Sequence, residues 1–221
     1  MCRSVLNSEQ TGLPEERVRI IVGISGASGS VYGWRLLEKL RARGDAEVHL
    51  ILSRAAERTA FLEMGKSAAD FKSLAHYSYP VEDIGGRVAS GSAQMDAMVV
   101  APCSIHTMSS IAAGITSNLL VRAADVTLKE RRKLILMVRE TPLHLGHLRS
   151  MVALAEMGAI LAPPVPAFYA RPETVDDIVN HSVDRVLDLI GLPSSDAQRW
   201  DGVRSGVQHK PQAPEREEVE R

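Results

Sequence analysis

Short apolar runs alternate along this chain with stretches whose apolar residues recur at helical spacing. The run from Val18 to Ile24 ends abruptly in Ser25-Gly26-Ala27-Ser28-Gly29-Ser30, and Val31, Trp34, Leu37 and Leu40 then follow at three-residue steps. The pattern predicts strands at 18–24, 46–52, 96–101, 134–138 and a short one at 159–161. It predicts helices at 30–43, 54–65, 67–76, 106–128, 143–157 and 174–190. Four of the strand segments are almost continuously apolar, as suits parallel strands covered on both faces. The regular alternation implies an α/β chain built as a single-domain, doubly wound parallel sheet with helices on both faces. Ligands in such sheets sit beyond the carboxyl ends of the strands. That rule directs attention to Ser25 to Ser30, Ser53-Arg54, Pro102 to Thr107, Arg139 to His144 and Pro163 to Tyr169.

The pattern bounds one folded unit at 18–192. Residues 1–17 read as a flexible N-terminus with no apolar stretch of the kind a signal peptide needs. Residues 193–221 carry Pro193, Pro211, Pro214 and mixed charge with almost no apolar periodicity, and read as a loosely ordered tail. Trp200 is the exception there and is expected to dock on the body or on a neighbouring subunit. No internal repeat is evident.

Charge and composition then exclude partners. The formal net charge is −1, which gives no electrostatic case for nucleic acid, and aromatics are 4% of residues, too few for a base-stacking platform. No run reaches the ~18 apolar residues of a membrane span. Cys2 and Cys103 make no disulfide framework, so the expected location is the cytoplasm.

The 24–30 turn is the first candidate site. A strand feeding a helix through glycine and serine leaves unpaired N–H groups at the helix start, which favour anions and phosphate above all. The segment lacks the lysine of the P-loop, and Gly23, Gly26 and Gly29 are three apart, unlike the dinucleotide fingerprint. A phosphorylated ligand is expected, but neither a P-loop nucleotide nor an ordinary dinucleotide. The competing reading is a tight turn whose glycines serve close packing.

Other candidates have equally plain alternatives. Ser53 is placed as a helix N-cap. Glu63, among Phe61, Leu62 and Met64, is either a surface carboxylate or a tuned acid/base whose apolar neighbours raise its pKa. Ser104, Ile105, His106 and Thr107 follow an apolar run and suit either a phosphate or another cap. Cys103 reads as a small buried hydrophobe rather than a nucleophile. Arg122 and Lys129, with Asp125, Arg131 and Arg132, are either cations favoured near a helix C-terminus or contributors to a phosphate site. Arg139 and Glu140, directly after a buried-type strand, fall in the expected crevice, and arginine suits planar, bidentate contacts. His144 and His147 lack partners at zinc spacing, and no metal site is expected. The stiff segment 163–169 ends in Tyr169, whose hydroxyl suits the polar tip of a pocket wall, or it is a rigid crossover. Arg185 is a surface residue by default.

Taken together, G-I-S-G-A-S-G (23–29), A-P-C-S-I-H-T (101–107), R-A-A-D-V-T-L-K-E-R-R (122–132), V-R-E-T-P-L-H-L-G-H-L (138–148) and P-P-V-P-A-F-Y (163–169) resemble the flavin prenyltransferase (UbiX) family, over about 18–192. The resemblance implies a flavodoxin-like, Rossmann-type flavoprotein. It would join the dimethylallyl group of dimethylallyl monophosphate to N5 and C6 of reduced FMN, and hand the prenylated FMN to a partner UbiD-type decarboxylase. It also implies a homo-oligomer, a dodecamer, with active sites shared between subunits. By the same resemblance Gly26, Ala27, Ser28, Ser53, Ser104, Ile105, His106, Thr107, Arg122 and Arg139 bind the flavin. Lys129, Arg139, Glu140, Tyr169 and Arg185 hold the dimethylallyl phosphate. Glu63 is the acid/base, beside Ser28, with Lys129 and Glu140 also catalytic. His106 departs from the lysine or small residue frequent in the family.

The residues suit that chemistry. Prenyl transfer from a diphosphate usually relies on Mg²⁺ held by aspartate-rich motifs, and Asp176-Asp177 is followed by Ile178, Val179 and Asn180 instead. Cations alone would then stabilise a monophosphate leaving group, and one preorganised donor is worth ~3 kcal/mol in such a transition state. Two alternatives are an FMN-dependent decarboxylase of the related cysteine decarboxylase group, and a non-catalytic FMN carrier. The first would place a histidine where this chain has Glu63; the second leaves Lys129, Glu140 and Arg185 without a task.

Overall fold

The computed structural model describes residues 17–194, with Ala197 and Gly202. Six strands, β1 (Val18–Ile24), β2 (Ala46–Leu52), β3 (Tyr77–Tyr79), β4 (Ala97–Cys103), β5 (Lys133–Val138) and β6 (Ile160–Leu161), form one sheet in the order β3-β2-β1-β4-β5-β6. Every pairing is parallel. The seven helices are α1 (Ser30–Arg43), α2 (Arg54–Met64), α3 (Ala68–Ser73), α4 (Ile105–Ala112), α5 (Leu119–Lys129), α6 (Leu145–Glu156) and α7 (Val175–Ile190).

Side chains alternate across each strand, and both sets are apolar. Ile20, Val22 and Ile24 of β1, with Val99 of β4 and Met137 of β5, pack under α1, α2, α3 and α7. Ile21 of β1, Met98 and Val100 of β4, and Leu134, Leu136 and Val138 of β5 pack under α4, α5 and α6. This is why the strands read as unbroken apolar runs: neither face meets water.

Three elements differ from the sequence expectation. The helix predicted over 106–128 is two helices, α4 and α5. Gly114 turns left-handed at φ 67°, and the Asn118 side chain caps α5 by accepting the Val121 N–H. The apolar period ran on through Ile115, which is exposed. The helix predicted over 67–76 shrinks to α3, because the chain turns out at Leu74 to lay the edge strand β3 against β2. The 96–101 strand continues to Cys103, pairing with Val138 after an irregularity that accommodates Pro102.

Most of the N-terminal segment 1–17 and of the tail 193–221, with Trp200, lies outside the described residues.

Candidate functional site

The strand order reverses between β1 and β4, so the crevice for a ligand opens beyond their carboxyl ends. Ser25 ties its two walls together. Its hydroxyl donates to the Pro102 carbonyl at 2.9 Å and accepts the Ser104 N–H at 2.7 Å. Buried and doubly bonded, Ser25 holds the turn after β1 at a set distance from the turn after β4.

On the β1 side, Gly26 sits so close to α2 that a Cβ would stand 2.3 Å from the Ala55 methyl. The packing reading of this glycine therefore holds. Gly29 has φ 103°, a conformation that glycine adopts freely, and offers no side chain to cap α1. The cap comes from α2 instead. Glu63 accepts the Gly29 N–H at 3.1 and 3.0 Å and the Ser30 N–H at 3.0 Å. The anion in this cradle is the protein's own carboxylate, so the phosphate expected at this helix start has its place taken.

Glu63 also corrects the pKa expected of it. Burial pushes its carboxyl up, but the Ser28 hydroxyl, the Ser30 and Gly29 N–H groups and the Ser30 hydroxyl outweigh that and hold it below the usual glutamate range. Its apolar sequence neighbours do not surround it: Phe61 and Leu62 are 64% and 83% exposed and point elsewhere, as successive helix residues must.

On the β4 side, Ser104 caps α4. Its Oγ accepts the Thr107 N–H at 3.3 Å and donates to the Thr107 hydroxyl at 3.1 Å. The N–H groups of Ile105 and His106 have no partner among the described residues. Two free amides and two hydroxyls at a helix N-terminus suit a phosphate dianion. Cys103 just before is fully buried, and burial pushes its thiol up to about 12, which removes it as a nucleophile. Ser53, at the end of β2, accepts the Ala56 N–H at 3.1 Å and caps α2.

Arg139 follows β5, its N–H bonded to the Cys103 carbonyl at 3.1 Å. It is exposed, makes no ion pair among the described residues, and its charge acts on the phenol of Tyr32 in α1. Burial dominates there and keeps the Tyr32 hydroxyl neutral. Tyr32 was not singled out in the sequence, where it reads as an ordinary residue of an amphipathic helix. Glu140 turns back to accept the Thr141 N–H at 3.0 Å. Arg122, in the first turns of α5, pairs with Asp125 at 2.9 Å. His144 caps α6, its Nδ1 accepting the Gly146 N–H at 3.0 Å, which gives this histidine a structural task.

Two residues expected at the site, Lys129 and Arg185, do not reach this crevice within one chain. Lys129 ends α5, pairs with Glu130, and precedes β5, whereas Arg139 follows β5. Six strand steps separate Lys133 from Arg139, about 20 Å at ~3.3 Å each. Tyr169 lies on a 3-10 turn over α7, its hydroxyl 3.1 Å from Nε2 of His181. Arg185 stands one helical turn beyond His181 and pairs with Asp188 at 2.9 Å. Gly191, a short way on, already borders Lys133, at the opposite end of β5 from Arg139. The fold thus gathers Gly26, Ala27, Ser28, Glu63, Ser53, Ser104 to Thr107 and Arg139, leaves Lys129 and Arg185 at the other end of the strands, and sets Tyr169 against α7. Among the described residues no group of three or more His, Cys, Asp or Glu side chains could hold a metal ion.

Known proteins share this arrangement. A model of the flavoprotein family matches residues 8–187. The flavin prenyltransferase UbiX of Escherichia coli K12 is 54% identical over 187 residues, 84% of this chain and 99% of that protein. The crystal structure of a dodecameric FMN-dependent UbiX-like decarboxylase from Escherichia coli O157:H7 has a TM-score of 0.82 and 48% identity, covering 84% of this chain and 100% of that one. The crystal structure of AnUbiX (PadA1) in complex with FMN and dimethylallyl pyrophosphate has a TM-score of 0.83 and 42% identity, covering 85% and 99%.

Proposed function

The chain belongs to the flavoprotein family and, within it, to the UbiX flavin prenyltransferases, and from that premise we propose how its residues divide the work. It is a transferase that joins a dimethylallyl group to N5 and C6 of reduced FMN. The donor we assign is dimethylallyl monophosphate, and the product serves a UbiD-type decarboxylase.

The observation that carries this reading is the Glu63 carboxylate held at the mouth of the β1–β4 crevice, opposite the open N-terminus of α4. The residues fit FMN. The free N–H groups of Ile105 and His106 with the Ser104 and Thr107 hydroxyls would hold its phosphate, and the 26–28 turn, with the exposed Ser28 hydroxyl, would meet its ring. Arg139, unpaired and exposed, would lie along the ring or meet the donor phosphate. Reduced FMN supplies the electron-rich nitrogen and carbon that are alkylated.

Glu63 is ionised throughout the neutral range, so it is a base from the outset rather than an acid tuned to neutrality. A carboxylate this well solvated by N–H groups is a weak base. It suits a proton already made acidic by the electron demand of the reacting ring edge, passed through Ser28. Lys129 and Arg185, which one chain does not bring to Arg139, would complete the phosphate site from a neighbouring subunit, and Tyr169 would join them there.

The chain forms a homo-oligomer, for which we propose twelve copies. Exposed Leu145, Leu148 and Val152 make an apolar stripe along α6 that supports burial against another copy. No helix among the described residues is long and apolar enough to cross a membrane. The free, buried Cys103 thiol accords with a reducing compartment, and we place the enzyme in the cytoplasm.

The test is anaerobic incubation with reduced FMN and dimethylallyl monophosphate, followed by weighing the flavin. One added C5 unit is expected, and an unmodified flavin overturns the reading. Equal turnover with the pyrophosphate would overturn the donor assignment alone.

A further inference from the structure

The clamp on Glu63 includes one hydroxyl with no evident task. Ser30 opens α1, is wholly buried, and its Oγ makes no well-formed hydrogen bond among the described residues. Its N–H already donates to Glu63 Oε2 at 3.0 Å, which fixes the residue beside that carboxylate, and its hydroxyl is among the groups that hold the Glu63 carboxyl down. A buried hydroxyl without a settled partner is a net cost to the fold, so its presence calls for a role.

We propose that Ser30 is a positioning residue for Glu63, its hydroxyl standing as a second side-chain donor that takes over when Ser28 turns its proton towards the flavin. This rests on the reading of Glu63 as the base. A serine hydroxyl has a single proton to donate. Ser28 is exposed in the crevice, so it can donate to the carboxylate or to the ring, not to both at once. Without another donor the carboxylate would lose a partner at the moment the proton is to move. The Gly29 and Ser30 N–H groups fix its place, and the Ser30 hydroxyl fills the gap.

No charged side chain contributes to the state of Glu63; what faces it from the β1–α1 turn is the hydroxyls and N–H groups already named. Tyr32, a turn along α1, is kept neutral by burial. Lys66, three residues beyond Glu63, is engaged over the Trp34 ring at 4.5 Å.

The test is Ser30→Ala, with two readouts on the assembled protein. The carboxyl titration of Glu63 is followed by carbon NMR of glutamate-labelled protein, assigned by its loss in Glu63→Gln. Its midpoint is expected to rise by about half a pH unit, a roughly threefold weaker acid. An unmoved midpoint overturns the proposal, and a rise in Tm beside it would mark Ser30 as a mere buried orphan. The second readout is the pH–rate profile. Its acid limb is expected to shift with the midpoint while the plateau and FMN affinity stay within twofold. A midpoint that rises while the limb stays fixed supports Ser30 as the positioner of Glu63 and refutes Glu63 as the base. In the Glu63→Gln background, Ser30→Ala is expected to leave the acid limb of the residual rate where it stands, and a limb that still shifts by about half a pH unit overturns the proposal.

Discussion

Both carboxylate oxygens of Glu63 accept the backbone N–H of Gly29, at 3.1 and 3.0 Å, so a side chain from α2 caps the first turn of α1. A single residue therefore ties the stability of the flavin-side turn to the group assigned as base. Glu63→Ala is expected to cost about 1 kcal/mol, as the loss of a helix cap does, and to lower Tm by about 2–4 °C. The sign with pH follows from the lowered pKa. The contribution is present above the ordinary glutamate value and is lost as pH falls through the folded one. The gap between wild type and Glu63→Ala should hold from pH 8 downwards and close below about pH 4.3. Thermal melts across pH check it, and a gap that widens on acidification would contradict the clamp.

Glu63→Gln keeps an acceptor for both N–H groups but cannot take up a proton at neutral pH. FMN affinity should stay within about threefold, while turnover falls by about a hundredfold or more, the usual worth of a positioned acid/base group. Full activity in this variant would remove Glu63 from the chemistry.

Gly26 has no room for a methyl group, given the 2.3 Å approach to the Ala55 Cβ. Gly26→Ala should destabilise the protein by about 1–3 kcal/mol, the usual cost of overpacking, and weaken FMN binding with it. Ala55→Gly in the same chain should restore most of both. Calorimetry and flavin titration measure the pair; a Gly26→Ala protein as stable as wild type would show that α2 yields freely.

Lys129 precedes β5 and Arg139 follows it, at opposite ends of the strands, so a site needing both is assembled from two chains. Lys129→Ala should raise the requirement for the dimethylallyl donor more than that for FMN. Mixed oligomers of Lys129→Ala with Arg139→Ala chains should regain, at low donor concentration, activity that exceeds that of either variant alone, because some junctions then carry both native residues. Activity in co-expressed, doubly tagged oligomers reads this out, and the absence of any recovery would place both residues in one chain's site or outside it.

Cys103 is buried, and with a thiol near 12 it is about one ten-thousandth ionised at pH 8. Peptide mapping after treatment of the folded protein with a neutral alkylating reagent should find Cys103 unmodified, and rapid labelling would mean that β4 opens far more readily than its packing implies.

How much of this was legible along the chain depended on the range of the cause. The four long strands were, because each is apolar on both faces and that shows residue by residue. The caps at Ser53 and Ser104 were also visible, since a cap acts on amides only a few residues away. The split between α4 and α5 left signals in Gly114 and Asn118, but the apolar period running across them hid the break. The edge strand β3 has only Tyr77, Ser78 and Tyr79, too few to show a period.

What the chain order could not contain was the company each side chain keeps. Glu63 among Phe61, Leu62 and Met64 looked like an acid raised by apolar surroundings, yet helix geometry turns those neighbours away and 34 residues of chain bring it back to the Gly29 N–H. Gly26 looked like part of an anion cradle until α2 was seen against it. Lys129, Tyr169 and Arg185 read as members of one phosphate site, and the length of β5, about 20 Å from Lys133 to Arg139 at ~3.3 Å per residue, separates the end that Lys129 precedes from the end that carries Arg139. Local periodicity and propensity are written in the order of residues and fix the elements. Solvation, contact and charge proximity are set by which elements the fold lays side by side, and those decide the anion in the cradle, the state of Glu63 and the separation of Lys129 from Arg139.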